Sequence, residues 1–79
     1  MGAPFASFDV AAAVTPSDTV NFDQGKCRAI YVGGAGNVTA VVGGIAVLFT
    51  APPVGTTLNI GATRVNATGT TATALVALY

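Results

Sequence analysis

Two runs of strand-forming residues meet at a pair of glycines in residues 37–50, which read NVTAVVGGIAVLFT. β-Branched and aromatic side chains favour the pleated, half-buried surface of a sheet. Gly43 and Gly44 can both take positive φ without steric cost, as the tight turn of a two-residue hairpin requires. The segment therefore predicts a β-hairpin with strands at 37–42 and 45–50.

The same alternation of strand formers with glycine or proline turns continues on both sides of this hairpin. Short apolar runs separated at a regular interval by turn residues are typical of small all-β domains. We expect an all-β fold: a small antiparallel β-sandwich or barrel, jelly-roll-like, with six to seven strands. The further predicted strands are 20–22, 27–32, 56–60, 62–67 and 71–79, and the predicted turns are 15–19, 33–36, 51–55 and 68–70.

Two predicted strands carry expectations about their faces. In 27–32, strict alternation puts Cys27, Ala29 and Tyr31 on one face and the intervening residues on the other. In 71–79 both faces are largely apolar, so this strand should lie in the core or at a subunit interface. We interpret the glycine-rich stretch 33–37 as a hairpin turn, because it lacks the lysine and the following helix of a phosphate-binding loop.

The chain has room for one domain only. Residues 1–14 are predicted to form an N-terminal arm or edge strand, separated by Pro16 from a single β domain at 15–79. The alanine-rich piece at 10–14 is too short to form a stable helix. We expect it to be extended, as a strand or as part of the arm.

Composition indicates that this domain needs a partner surface. The 79 residues are 52% hydrophobic and 8% charged with no net charge, and folding hides only about 60% of the surface of a chain this short. A single cysteine allows no disulfide within the chain. We therefore expect an obligate oligomer or assembly component.

Composition also argues against several classes of partner. Three cationic residues are too few for a nucleic-acid footprint or for binding an anionic membrane. The charge-free stretch 29–63 is broken by glycines and prolines, and its longest apolar run, 41–49, falls short of the roughly 20 residues of a membrane span. No secretory signal is apparent at the N-terminus, which favours an intracellular or assembled setting.

Catalytic and metal-binding motifs are weak. No histidine is present to activate a nucleophile, and Cys27 is expected to point into the core between two outward cations. Asp18, Asn21 and Asp23 lack the ligand spacing of a calcium loop, so a hydrogen-bonded turn is the preferred interpretation. The threonines at 68–73 predict a turn leading into a strand rather than an ice-binding array. We expect no enzyme activity, no cofactor and no metal.

Three stretches together resemble the small spike-base family of tailed bacteriophages and gene transfer agents. They are TPSDT at 15–19, RAIYVGGAGNV at 28–38, and RVNATGTTAT at 64–73 followed by LVALY at 75–79. The resemblance spans roughly 15–79. It implies an all-β structural protein of the particle head that assembles as oligomeric rings, acting as a spike base or as a capsid decoration (cement) protein.

The resemblance also implies partners and a location. The partners would be further copies of the chain, the major capsid protein and, in some members, a head fibre or spike protein. The protein would lie on the outer surface of the head in the virion, and in the host cytoplasm during assembly. Candidate contacts between subunits or with the capsid are Phe5, Phe8, Arg28, Arg64 and Tyr79. The two arginines are expected to form ion pairs, within or between subunits, with Asp18 or Asp23.

Two alternatives stay open at this point. One is a structural component of the tail or neck. The other is a small glycan-binding β-sandwich module, for which Tyr31 and Tyr79 are the only tyrosines that could stack on a sugar ring, and tryptophan is absent.

Overall fold

The computed structural model describes residues 10–79 of the chain. Within that range it contains seven β-strands in two antiparallel sheets, which confirms the predicted all-β sandwich. No helix in this range could span a membrane. The strands are β1 (Ala11–Ala13), β2 (Ala29–Val32), β3 (Val38–Val42), β4 (Ile45–Phe49), β5 (Thr57–Leu58), β6 (Ala62–Val65) and β7 (Leu75–Leu78).

One sheet has the order β1-β7-β2-β5 and the other β4-β3-β6. β3 and β4 form the hairpin predicted from the sequence, with Val42 paired to Ile45. Its turn residues Gly43 and Gly44 have φ values of 61° and 80°, the left-handed conformation that glycine adopts without strain. The three interior strands, β7, β2 and β3, each pair with a neighbour on both sides.

The core lies between the sheets and is made of small and β-branched side chains. Ile30 and Val32 on β2 are paired with Ala77 and Leu75 on β7, and all four face the interior. The opposite sheet contributes Val38, Ala40 and Val65, among others. No polar or charged residue of the described range is buried, so apolar burial stabilises this core without a buried polar network.

The predicted facing of residues 27–32 is wrong at Cys27. Cys27 joins the core cluster together with Ile30 and Val32, whereas Tyr31 is exposed. β2 begins only at Ala29, so the two-residue alternation of a strand does not extend back to Cys27. The expectation that Cys27 itself is buried is confirmed.

The glycine-rich stretch 33–37 is not a hairpin turn, because β2 and β3 lie in different sheets. It crosses between the sheets and packs directly on the backbone of residues 71–74. The Gly33 N–H donates to the Ala74 carbonyl at 3.1 Å, and a Cβ at Gly33 would lie 2.6 Å from that oxygen. A Cβ at Gly34 would overlap the Thr73 hydroxyl. The glycines therefore permit a close approach of two backbone segments rather than a tight turn.

Several predicted strands are shorter than expected. The last one starts at Leu75 instead of residue 71, because Ala74 has a φ of 51° and interrupts the extended backbone. Residues 20–22 do not form a strand, although the Phe22 N–H donates to the Thr63 carbonyl. The bulge or bend foreseen at Gly61 occurs just after it, where the β3–β6 register shifts and β6 gains one residue.

The threonine-rich turn before β7 is tied to the start of β3. The hydroxyl oxygens of Thr70 and Thr71 accept hydrogen bonds from the backbone N–H groups of Thr39 and Asn37, at 2.9 and 2.8 Å. These threonines therefore serve as turn residues that join the two sheets, as the sequence analysis preferred over an ice-binding array.

A second link joins this turn to the predicted turn at 15–19. Asp18 accepts hydrogen bonds from the Thr68 N–H at 2.9 Å and from the Thr68 hydroxyl at 2.7 Å. The Ser17 hydroxyl accepts from the N–H groups of Thr19 and Val20, which confirms the predicted serine turn. The hydrogen bonds from the Thr68 backbone, and then from its side chain, lower the pKa of Asp18.

The close approach at 33–36 predicts that Gly34→Ala destabilises the domain by about 1–3 kcal/mol, since the added methyl must displace Thr73. Gly61→Ala is the matched control, because a Cβ there would meet only the flexible Lys26 side chain at 3.2 Å. We expect the control to change the free energy of unfolding by less than about 1 kcal/mol in either direction. Urea denaturation of the two variants measures the difference, and equal stabilities would contradict this role of Gly34.

The lowered pKa of Asp18 predicts a loss of stability in acid. A carboxylate with a lowered pKa stabilises the fold above the unfolded value, about 3.9 for aspartate, and this contribution disappears as the pH falls through the folded value. We expect Asp18→Asn to flatten the fall in melting temperature between about pH 6 and pH 2. Asp23→Asn removes the same charge without touching the Thr68 turn, so it should leave the acid sensitivity in place. The reverse ranking would contradict the assignment.

Candidate assembly surface

β4 is an edge strand, and its outer backbone has no partner within residues 10–79. It lies at one end of the β4-β3-β6 sheet and pairs with β3 only. The turn and loop hydrogen bonds of the described range do not involve β4. Unpaired N–H and C=O groups along an edge strand are a template for pairing with another chain.

The side chains of β4 are apolar and exposed on both faces. Ile45 is 66% exposed and is paired with Val42, whose side chain packs against the core, while Leu48 is 54% exposed on the opposite face. Within β4 only Phe49 packs against the core. The strand therefore extends beyond the core of its own subunit and presents apolar surface in both directions.

This edge lacks the features that usually protect edge strands from pairing. The charged residues closest to it in sequence are Arg28 and Arg64, and the strand contains no proline. Lysine, proline or a bulge normally blocks pairing at an exposed edge. The following segment, 51–55, adds a further exposed apolar side chain, Val54. We define residues 45–49 with Val54 as the β4 surface.

The opposite edge of the same sheet is closed. The N–H groups of Ser17, Phe22 and Cys27 donate to carbonyl oxygens of β6, namely those of Val65, Thr63 and Ala62, at 2.9 Å each. The segment 17–27 therefore covers the β6 edge. Within the β4-β3-β6 sheet, β4 is therefore the open edge and β6 the covered one. The edge strands of the other sheet, β1 and β5, each pair with one neighbour.

Arg64 contacts amides rather than the two aspartates named in the sequence analysis. Its Nε donates to the Asn66 side-chain oxygen at 2.9 Å, and an Nη donates to that of Asn21 at 3.2 Å. Its charge is the smallest of the causes that lower the pKa of Asp18. Arg64 therefore organises the surface of β6 within its own subunit.

Arg28 and Tyr79 lie close together, on the other sheet from Arg64. Arg28 is exposed, and its backbone N–H donates to the Leu78 carbonyl at 2.8 Å. The Tyr79 hydroxyl donates to the Gly25 carbonyl at 3.1 Å, and desolvation raises its pKa. Phe5 and Phe8 lie outside the described residues. The structure thus brings two of the five candidate contact residues together and places Arg64 elsewhere.

A shallow cleft of about 240 Å³ runs beside β1. Tyr79 and Phe22 contribute to its lining, but Tyr31 does not, so the two tyrosines do not form one stacking platform. The only charged side chain in the lining is that of Asp23. The lining nevertheless combines two aromatic rings with several polar side chains, among them Asn21 and Gln24. Because sugar sites usually have this combination, glycan binding is kept as an alternative to be tested.

The residues considered above for catalysis or metal binding are mostly buried or hydrogen-bonded within the domain. Cys27 is 1% exposed, and desolvation raises the pKa of its thiol, which keeps it neutral and unreactive. Asp18 and the Asn21 amide oxygen accept hydrogen bonds from Thr68 and Arg64. Among the described residues, no group of three potential ligands could hold a metal ion.

Sequence reasoning missed the β4 surface because it treated 45–50 only as half of a hairpin. Two features of the sequence indicated this surface. Residues 29–63 carry no charge, and residues 45–49 are apolar at every position, so both faces of the strand are apolar. A strand apolar on both faces must either be central or be covered by a partner. The position of β4 at the sheet edge decides between these two situations.

No family model matches the chain, and no curated protein matches it. Among solved structures, it matches a chain of a particle described as "Capsid of native GTA particle computed with C5 symmetry", where GTA denotes gene transfer agent. The TM-score is 0.83 and the sequence identity 31%, and the match covers 94% of this chain and 86% of that chain. Similarity in both fold and sequence over almost the full length of both chains places this protein in the same family as that gene transfer agent capsid chain, among the phage-like head proteins.

Proposed function

We propose that this chain is a non-enzymatic structural protein that forms an oligomeric ring on the outer surface of a phage-like head, as a spike base or a capsid decoration protein. The single observation that carries the proposal is the β4 surface, an uncharged apolar edge with no partner within residues 10–79. An exposed apolar edge of this kind promotes pairing with another chain or aggregation unless it is covered. The similarity to a capsid chain supports a particle as the setting.

The proposed partners are further copies of this chain, the major capsid protein and, above the ring, a head fibre or spike protein. Assembly would begin in the host cytoplasm and end in the virion. Rings arise when one surface of a subunit binds a different surface of the next one. The β4-β3-β6 sheet, with its open β4 edge and its covered β6 edge, has the asymmetry that such head-to-tail contacts need.

Phe5, Phe8, Arg28, Arg64 and Tyr79 remain proposed contact residues. Of residues 1–14, the structure places Ala11–Ala13 in the domain as β1, paired with β7. We propose that the arm attaches the subunit to a neighbouring copy or to the capsid, and that residues 1–9, which precede the described range, are the part that does so.

The proposal predicts that Leu48→Lys weakens ring formation and binding to capsids by roughly tenfold or more, because a desolvated charge would replace an apolar contact. Val20→Lys is the matched control: Val20 is 62% exposed and apolar, but it lies in the 17–27 segment on the closed side. Sedimentation of the purified proteins and co-sedimentation with capsids that lack the protein measure both effects.

Wild-type protein that stays monomeric at high concentration and does not bind capsids would overturn the proposal. Binding to tail or neck components instead of capsids would favour the first alternative. Specific binding of the isolated protein to a glycan array would favour the second.

A further inference from the structure

The open edge of β4 and the start of the described chain lie on opposite sides of the sandwich. From β1 the chain passes directly to the β6 side: the Val14 N–H donates to the Leu75 carbonyl on β7, and three residues later the Ser17 N–H donates to the Val65 carbonyl on β6. β1 and β6 are therefore neighbouring edges of the two sheets. β4 is at the far end of the sheet that contains β6.

Residues 1–9 precede Val10 on the β1 side, and they could span about 30 Å when extended. A chain terminus on the β1 side of the sandwich and an open strand edge on the β4 side could together form a head-to-tail contact between two copies. Repeated between identical copies, such a contact closes into a ring when the rotation allows it. An edge-to-edge contact of β4 with a second β4 would give a twofold dimer instead.

The sequence of residues 1–9, MGAPFASFD, complements β4 as an added strand. Phe5 and Phe8 are three positions apart, so in a strand they would point to opposite faces. β4 likewise exposes apolar side chains on both faces, Ile45 on one and Leu48 on the other. Pro4 is tolerated in a strand at the edge of a sheet, and the only charge, Asp9, lies at the end of the segment.

We propose that residues 1–9 of one copy add as a β-strand to the open edge of β4 in a second copy. Main-chain hydrogen bonds would supply affinity, and the two phenylalanines would cover the two apolar faces of β4. The inference rests on the proposed function for the presence of neighbouring copies in a ring. It goes beyond that function by naming the segment that covers the β4 surface.

A complementation experiment tests the pairing. One variant lacks residues 2–9 but keeps its β4 edge, and the other carries Leu48→Lys but keeps its arm. Each variant alone should associate roughly tenfold or more weakly than wild type. An equimolar mixture should form a one-to-one complex, because the arm of the second variant can bind the intact β4 of the first. The mixture should not form rings, since the first variant has no arm and the second has no intact β4 edge.

Cross-linking tests the same contact without relying on disruption. Full-length copies carrying Phe5→Cys are mixed with copies carrying Leu48→Cys and oxidised, with wild type as the control because Cys27 is buried. We expect a disulfide-linked dimer in the mixture, formed roughly tenfold or more faster than in either variant alone. Melting curves of all variants confirm that each one folds.

Each other outcome overturns the proposal in a recognisable way. Efficient linkage of Leu48→Cys copies to one another indicates β4–β4 pairing. A Phe5→Cys/Leu48→Cys double variant that links only within one chain at high dilution shows that the arm covers its own subunit. Rings that persist without any cross-link mean that another protein or surface covers β4, with the proposed function intact. A wild-type protein that forms no rings, alone or on capsids, removes the proposed function as well.

Discussion

The two sheets are held together at one end by the contact between the backbone of residues 33–36 and that of residues 71–74. Three glycines allow this approach, since a Cβ at Gly33, Gly34 or Gly36 would collide with the opposing segment. The same region hydrogen-bonds Thr70 and Thr71 to the beginning of β3. The position of β3 over the core follows from this contact, and the position of the attached hairpin strand β4 follows from β3.

The exposed apolar side chains of the chain are distributed unevenly over its surface. The interior needs few residues, because alanine and valine fill a thin space between the sheets. The remaining apolar side chains are concentrated at β4, which extends past the core, whereas segment 17–27 covers the other edge of that sheet. The β6 edge of that sheet is therefore covered within the single chain, whereas the β4 edge is not.

Much of the fold could be predicted from the sequence, and the failures have physical causes. The hairpin at 38–49 was predictable because Gly43 and Gly44 dictate a local turn. The role of residues 33–36 was not, since a glycine that permits a close approach looks identical to one that permits a turn until the distant segment is known. The short β7 depends on the left-handed conformation of Ala74, for which an alanine gives no local signal.

The candidate surface was less predictable than the fold. Composition alone indicated that some apolar surface had to be covered, but strand order, a non-local property, determined that this surface is β4. Within its own subunit Arg64 contacts the amides of Asn21 and Asn66. Its pairing with an aspartate of a neighbouring subunit stays a prediction. The sequence alone does not show whether an arginine will donate its hydrogen bonds to a carboxylate or to a nearby amide oxygen.

The uncharged edge of β4 also affects how well unassembled copies of the protein stay in solution. Subunits with no net charge have little electrostatic repulsion to keep them apart, and each one exposes the apolar edge of β4. Unassembled copies are therefore prone to aggregate. If the proposed function holds, copies made in excess of their binding sites on the particle would precipitate, so the timing and amount of synthesis would matter for assembly.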